Sequence, residues 1–308
     1  MEFAPVILFV YHRYDHLKQT LQALDHNQYA DQSILYIFSD GYKNDEDRKA
    51  VEDVRKLLYQ YREVSSFKKV VIEESSDNKG LAASVISGVT QIMQMYDRVI
   101  VLEDDLISST DFLKYMNETL AFYENDNRIW SIAGYTPDIK ILKKYTQDVY
   151  MCPRFGSWGW ATWRNRWDLI DWQVSDYNSF ARDKKQRRAF DRCGAGLTQM
   201  LDRQMQGVID SWAVRFCYEQ FKHDGWTVNP RVSRIENIGT DGSGSHMENN
   251  SKWTTKLNAE NKDIICIPFQ RNKALERAYF NFFAGNLPYR CYKRLRSFAF
   301  KCVKRITT

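Results

Sequence analysis

At Arg98-Val99-Ile100-Val101-Leu102-Glu103-Asp104-Asp105, a short apolar run leads directly into three consecutive acids. The run is continuous and mostly β-branched, which is typical of a strand buried on both faces. Such a strand ends at the edge of an open α/β sheet, where these folds bind their ligands. Three adjacent carboxylates repel one another, which favours a bound divalent cation. The alternative is a solvated acidic turn at the start of a helix.

Three earlier apolar runs alternate with segments of helical periodicity. The runs are 5–11, 33–38 and 69–72, and the helical segments are 14–26, 44–62 and 81–95. Strands that alternate with helices predict a parallel sheet with crossover helices, hence an α/β fold. We interpret residues 1–105 as a nucleotide-binding half.

Polar side chains follow three of these predicted strands. Arg13 follows the first strand, Asp40 the second and the acidic triplet the fourth. Because parallel strands end at one edge of a sheet, these side chains should lie together. This convergence favours the cation site over the acidic turn.

The pattern changes after the triplet, over residues 106–270. Helices are predicted over 110–124, 179–192, 195–206 and 210–223. A polar, glycine-rich loop at 239–246 has the composition of an active-site lid.

Composition predicts a folded soluble protein, with 44% hydrophobic and 27% charged residues among 308. No signal peptide is visible, and no run reaches the ~18 apolar residues that span a bilayer. No C-x-x-C pair occurs, so we expect reduced thiols and a cytoplasmic location. The six cysteines are Cys152, Cys193, Cys217, Cys266, Cys291 and Cys302.

Residues 271–308 form a basic tail. They hold ten Lys or Arg residues and one acid, Glu276, for a charge of +9; the whole chain carries +5, which leaves −4 for the rest. Within the tail, 293–306 has the pattern of an amphipathic basic helix, which suits an anionic membrane surface. A docked terminal helix and a nucleic-acid-binding tail are the alternatives, and we expect no nucleic-acid partner.

With these features in this order, the chain resembles the GT-A glycosyltransferases over roughly residues 4–250. It is most similar to the inverting branch that contains N-acetylglucosaminyltransferase I-like enzymes and many bacterial cell-surface polysaccharide transferases. The triplet matches that branch's E-D-D form of the D-x-D motif. The resemblance implies a nucleotide-sugar-binding half, residues 1–105, whose sheet is merged with an acceptor-binding and catalytic half, residues 106–270, here followed by basic C-terminal helices.

The same resemblance implies how the donor is bound. Asp105 would ligate Mn²⁺ (or Mg²⁺) on the donor diphosphate, and Glu103 and Asp104 would contact ribose or sugar hydroxyls. Arg13 would lie near the diphosphate, although a surface arginine is the alternative. Hard oxygen ligands suit both ions.

Two loops extend this implied donor site. Asp40 matches the acid that accepts a hydrogen bond from uracil, with a plain Asp-Gly turn as the alternative. The Asn78-Lys79-Gly80 segment resembles an N-x-G element that lines the nucleoside, and Lys79 is its candidate contact. The alternative is a helix cap formed by Asn78.

An aromatic segment completes the implied sugar pocket. Phe155-Gly156-Ser157-Trp158-Gly159-Trp160 resembles the floor of the family's pocket, and we assign Gly156, Ser157 and Trp158 to it. Aromatic faces pack well against sugar C–H surfaces. The alternative is an aromatic core.

Asp210 matches the family's catalytic base, although the acid that follows it in the family is Ser211 here. An inverting transfer needs one carboxylate to take the acceptor hydroxyl's proton. The alternative role is a helix N-cap, and the alternative bases are Asp202, Glu219 and Asp224.

His246 matches a family histidine near the diphosphate and is a second candidate metal contact, with a solvated loop histidine as the alternative.

The sequence therefore predicts a metal-dependent, inverting glycosyltransferase that uses a nucleotide sugar, a UDP-sugar in particular. The expected acceptor is a cell-surface glycan on a lipid carrier, reached from the inner face of the cell membrane. One rival is a sugar-1-phosphate nucleotidyltransferase, but the segment Tyr11-His12-Arg13-Tyr14-Asp15 lacks the glycine-rich loop such enzymes need. The other rival is a non-catalytic glycan-binding protein.

Overall fold

The computed structural model describes residues 3–240, 251–260 and 262–284. In the first half, strands and helices alternate as predicted. They are β1 (Val6–Val10), α1 (Tyr14–Asp25), β2 (Ile34–Ser39), α2 (Asp45–Val64), β3 (Lys69–Glu74), α3 (Leu81–Met93) and β4 (Arg98–Glu103). The four strands pair in parallel in the order β3-β2-β1-β4. The predicted parallel sheet is confirmed.

The second half continues the same sheet. Its elements are β5 (Leu106–Ser108), α4 (Phe112–Tyr123), β6 (Ile129–Ala133), β7 (Val149–Cys152), β8 (Trp160–Trp163), α5 (Arg164–Trp167), α6 (Tyr177–Arg182), α7 (Lys184–Arg192), α8 (Leu197–Met205), α9 (Trp212–Lys222), β9 (Trp226–Pro230), β10 (Ile235–Asn237) and α10 (Lys273–Ala284). Within the described residues, eight strands form one sheet in the order β3-β2-β1-β4-β8-β6-β9-β7. Strand β8 runs antiparallel to β4 and β6, so the second half is mixed. The predicted α/β fold, with one half merged into the other, is confirmed.

The two faces of this sheet carry separate hydrophobic clusters. In β4, Ile100 and Leu102 belong to one cluster, whereas Val99 and Val101 belong to the other. All four are at most 1% exposed, which the alternation of side chains along a strand produces when both faces are covered. Burying such a side chain contributes about 1.5–3 kcal/mol relative to leaving it exposed. The apolar run before the triplet is therefore a central strand.

The segment predicted as one helix over 179–192 is two helices, so this prediction is wrong. Helix α6 ends at Arg182 and α7 begins at Lys184. The Asp183 carboxylate accepts hydrogen bonds from the backbone N–H of Lys185 and Gln186, at 2.8 and 3.0 Å. An aspartate that caps one helix cannot also continue the preceding one, because a cap residue has non-helical dihedral angles.

A two-stranded antiparallel sheet, β5 with β10, lies directly after the acidic triplet. It pairs the chain around residue 106 with a segment more than 120 residues further on.

In the described ranges, no helix has both the length and the apolar composition needed to cross a bilayer. The basic helix predicted over 293–306 lies outside the described residues.

Candidate active site

The carboxyl ends of β1, β2 and β4 meet at one cleft of about 940 Å³. Because β1 lies between β2 and β4 and all three are parallel, the residues that follow them share one edge of the sheet. Arg13, Asp40 and the triplet all line this cleft, as the sequence predicted. Asp210, which precedes α9, lines it as well. The candidate site thus brings together residues from both halves of the chain.

The first two acids of the triplet are held in a desolvated setting. The Asp104 carboxylate, in a residue only 9% exposed, accepts a hydrogen bond from the Tyr11 backbone N–H at 3.1 Å. Burial, with repulsion from Asp105, raises the pKa of Glu103 to about 8 and that of Asp104 to about 7. Such groups favour a proton or a nearby cation.

Asp105 pairs with Arg13 through an Nη1 to Oδ2 distance of 2.7 Å, and both side chains are about 15% exposed (14% and 16%). The Asp105 carbonyl accepts a hydrogen bond from the Ile238 backbone N–H at 2.9 Å. Gly239 follows immediately, and no side chain fits there without meeting Asp105 and Arg13. The contacts of residues 238 and 239 with Asp105 were not predictable from the sequence, because these residues lie far along the chain from the triplet.

The carboxylates of the cleft suit a divalent cation that a bound substrate also helps to hold. Among the described residues, no group of three or more His, Cys, Asp or Glu side chains is arranged to enclose a metal. Mg²⁺ is commonly held by one or two carboxylates together with substrate phosphates, so a complete protein cage is not required. Asp105 offers one carboxylate beside an arginine suited to phosphate. The residues present therefore fit the implied Mn²⁺ or Mg²⁺.

Asp40 organises the loop before α3. Its Oδ1 accepts hydrogen bonds from the backbone N–H of Gly41 (3.0 Å) and Lys79 (2.9 Å), and its Oδ2 accepts one from Gly80 (3.0 Å). Asn78 instead donates to the Gly41 carbonyl at 2.8 Å. The helix-cap alternative for Asn78 is therefore wrong. Lys79 lines the cleft as expected.

The aromatic segment serves both the core and the cleft. Phe155 and Trp160 are buried, at 4% and 1% exposure. Ser157 and Trp158 line the cleft, whereas Gly156 is not among the residues that line it in the described chain. The expectation that Gly156 contacts the donor lacks this support; a Cβ added at Gly156 would lie 3.4 Å from the Ala133 Cβ.

Backbone geometry next to Trp158 depends on a glycine. Gly159 has a φ of +58°, a conformation that favours glycine. A Cβ there would lie 2.6 Å from the Ile235 side chain. The turn that presents Trp158 to the cleft is therefore packed directly against β10.

Asp210 has a side chain that is 60% exposed, and its Oδ1 lies 3.8 Å from Arg215 Nη2. Its Oδ2 is 3.7 Å from the position that a Cβ of Gly80 would occupy. The cap of α9 is Ser211, whose side chain accepts from the Val214 backbone N–H at 3.3 Å. The N-cap alternative for Asp210 is therefore wrong, and its carboxylate is available to the cleft.

The alternative bases do not line the cleft. Asp202 is paired with Arg187 at 2.7 Å. Glu219 is buried and lies 3.0 Å from Lys222. Asp224 adopts a φ of +49° in the turn after α9.

His246 lies outside the described residues, so its predicted metal contact stays a prediction.

Two cationic residues that the sequence did not single out also line the cleft. Lys43 follows β2, and Arg203 lies on α8. Tyr11 lines the cleft as well; its hydroxyl donates to Asp47 at 2.8 Å and accepts from the Lys43 N–H at 3.0 Å. Burial raises the pKa of Tyr11 to about 12. Tyr11 and Lys43 follow β1 and β2, so the strand-end pattern that marked Arg13 and Asp40 could have found them, whereas Arg203 reaches the cleft from a distant segment.

A protein-family model described as the GNT-I family matches residues 1–204 of this chain. Among solved structures, S. aureus TarS is similar at 13% sequence identity and a TM-score of 0.32. That match covers 43% of this chain and 21% of TarS, so the chain spans about a fifth of that protein. No match was found among curated proteins.

Proposed function

The chain belongs to the GNT-I family, and we propose that it is a metal-dependent glycosyltransferase that moves a sugar, with inversion, from a nucleotide sugar to a glycan acceptor. One observation carries this proposal. The Arg13–Asp105 pair, Asp40 and Asp210 all line one cleft at the carboxyl edge of the sheet. That edge is where open α/β sheets bind nucleotides.

The proposed donor is a UDP-sugar that carries a hexose or an N-acetylhexosamine. Asp40 Oδ2 accepts one backbone hydrogen bond and retains a lone pair for a base N–H. Glu103 and Asp104 would contact ribose or sugar hydroxyls, and Lys79 would lie along the nucleoside. Ser157 and Trp158 would line the sugar, with the Trp158 ring against its C–H face.

In the proposed reaction, Asp210 takes the proton from an acceptor hydroxyl as that oxygen attacks the anomeric carbon. A new C–O bond forms on one face of the sugar while the bond to the diphosphate oxygen breaks on the other. The electron pair of that bond leaves with the nucleoside diphosphate. Arg13 stabilises the negative charge that develops there.

Asp105 would hold the divalent ion. When bound, the ion neutralises charge on the diphosphate. The orientation of Asp105 would be maintained by the Arg13 pair at 2.7 Å and by the hydrogen bond from Ile238 to its own carbonyl. Among the described residues, Asp105 would thus supply one ligand, and substrate phosphates, water and the candidate contact His246 would supply the others.

The proposed acceptor is a cell-surface glycan on a lipid carrier at the inner face of the cell membrane. The basic tail at 271–308 supports this through its charge and through the amphipathic pattern of 293–306. A chain lacking 290–308 should lose binding to anionic vesicles and keep binding UDP. Vesicle binding equal to that of the full chain would contradict the role of the tail.

Donor hydrolysis across a panel of nucleotide sugars, with Mn²⁺ and with EDTA, tests the proposal. We expect one UDP-sugar to release UDP faster with Mn²⁺ than with EDTA. Binding of each nucleotide sugar is also measured, with UDP alone and the free sugar alone as the matched controls. A panel in which no nucleotide sugar binds or is hydrolysed with metal present would contradict the proposed function.

A further inference from the structure

Trp158, one of several aromatic residues that line the cleft, contacts two other rings. Its ring centroid lies 4.6 Å from that of Tyr135 and 5.6 Å from that of Trp253. The interplanar angles are 73° and 76°, so both contacts are edge-to-face. This is a favoured geometry for aromatic pairs. Rotation of the Trp158 ring is therefore opposed from two sides.

Trp253 is itself anchored by its own stretch of chain. The Tyr135 hydroxyl donates to the Trp253 carbonyl at 3.0 Å. Two residues on, the Thr255 hydroxyl donates to the Thr136 carbonyl, also at 3.0 Å. The Asn258 backbone N–H then donates to the Ser233 carbonyl at 2.8 Å. The segment 253–258 is thus hydrogen-bonded to Tyr135, Thr136 and Ser233.

Helix α10 supports Trp253 from the other side. The ring centroids of Phe282 and Phe283 lie 5.4 and 5.8 Å from that of Trp253. The helix is docked through Leu275 and Tyr279, which are 2% and 4% exposed and pack in one cluster with Tyr150 of β7. A continuous set of ring contacts therefore runs from α10 to the cleft.

We propose that Trp253 is a positioning residue, which holds the Trp158 ring in the orientation that receives the C–H face of the donor sugar, and that α10 supports it. The inference deepens the proposed function and rests on it. It assigns a role to residues 251–284, which lie beyond the span that the family model matches. This segment would support the sugar-binding wall of the cleft from behind Trp158, because none of its described residues lines the cleft.

Affinity measurements on the full chain with Mn²⁺ test the inference. The probes are UDP and the UDP-sugar that the donor panel identifies, titrated into wild type, Trp253→Ala and Trp253→Phe. We expect Trp253→Ala to weaken UDP-sugar binding about fivefold, which is ~1 kcal/mol, and to leave UDP binding unchanged. The Trp253→Phe variant, which keeps a ring, should restore most of the loss.

The control variant is Phe269→Ala. Phe269 belongs to the same C-terminal part of the chain and contacts Trp226 at 5.4 Å and 75°, nearly the geometry of Trp253 with Phe282. It packs against the core and does not line the cleft. It should lower the melting temperature and leave the ratio of the UDP-sugar affinity to the UDP affinity unchanged.

Hydroxyl-radical labelling of Trp158, read by mass spectrometry, provides a measurement that needs no donor. Labelling should rise in Trp253→Ala and stay at the wild-type level in Phe269→Ala. Wild-type affinity ratio and labelling in Trp253→Ala would overturn the inference while the proposed function stands. A wild-type chain that binds no UDP-sugar would overturn both.

Discussion

Gly239 lies against the Asp105–Arg13 pair, so the Gly239→Ala variant perturbs the proposed metal ligand without removing a charge. A Cβ at this position would lie 2.8 Å from Asp105 Cγ and 2.9 Å from Arg13 Nη1. Carbon atoms in contact lie about 3.5–4.0 Å apart. The carboxyl carbon must therefore move away by about 0.7 Å or more.

The expected effect on activity is larger than the effect on stability. Asp105 can relieve the overlap by moving its side chain, so we expect a stability loss of about 1 kcal/mol. A displacement of about 1 Å in a catalytic group can reduce the rate ~100-fold. We therefore expect kcat/KM with Mn²⁺ to fall about 30- to 100-fold, or roughly 2–2.7 kcal/mol.

The assay is UDP release from the preferred donor as a function of Mn²⁺ concentration, together with the melting temperature. Gly207→Ala is the control, because no atom lies within 4 Å of the Cβ that it adds; Gly207, unlike Gly239, has a positive φ (+68°). That variant should cost about 1–2 kcal/mol of stability through backbone strain and keep full activity. Wild-type kcat/KM and Mn²⁺ dependence in Gly239→Ala would contradict the claim that activity depends on the position of Asp105 beside Gly239.

The remaining predictions concern the base, the loop before α3 and a buried ion pair. Asp210→Asn should lower kcat about 10²- to 10⁴-fold and leave UDP binding intact; unchanged transfer kinetics would exclude Asp210 as the base. Asp40→Ala removes the acceptor for the Lys79 backbone N–H, so thermal and UDP titrations should show a loss of about 2 kcal/mol of stability together with weaker UDP binding. Arg234→Leu removes the cationic partner, 3.2 Å away, of the Asp111 carboxylate, which is 2% exposed and, among the described residues, keeps hydrogen bonds only from Ser109 and Asn258; denaturant unfolding should show a loss of about 3–5 kcal/mol, and a loss below 1 kcal/mol would contradict this.

The first half of the fold was predictable because its signals are local. Each parallel strand is a continuous apolar run, and β4 is buried along Val99–Leu102. The helices between them show apolar residues at helical spacing, as Leu17, Leu21 and Leu24 do in α1. Adjacent parallel strands then bring Arg13 and Asp40 to the triplet without further information.

The second half was less predictable because its pairings are distant in sequence. Strand β8 has only four residues and lies between β4 and β6, which precede it in the chain. Short strands paired across such separations leave no periodic pattern of their own. The contacts of Gly239 with Asp105 and of Trp253 with Trp158 have the same origin.

Capping residues explain one local error, the single helix predicted over 179–192, and one alternative that the sequence left open, the N-cap role of Asp210. Aspartate, asparagine and serine all favour helix starts, so the sequence alone does not distinguish Asp210 from Ser211 as a cap. In the structure Ser211 caps α9, which leaves the Asp210 carboxylate to the cleft. Asp183 caps α7 and divides a segment whose composition is helical throughout.

The most direct test of the account is the metal dependence of donor turnover in wild type and in Asp105→Asn. UDP release is measured from the preferred UDP-sugar across a Mn²⁺ titration, with the melting temperature of each protein recorded beside it. We predict Mn²⁺-dependent release in wild type and at least a ~100-fold loss in a folded Asp105→Asn variant. Equal turnover and equal Mn²⁺ dependence in the two proteins would contradict the assignment of Asp105 and of the cleft around it.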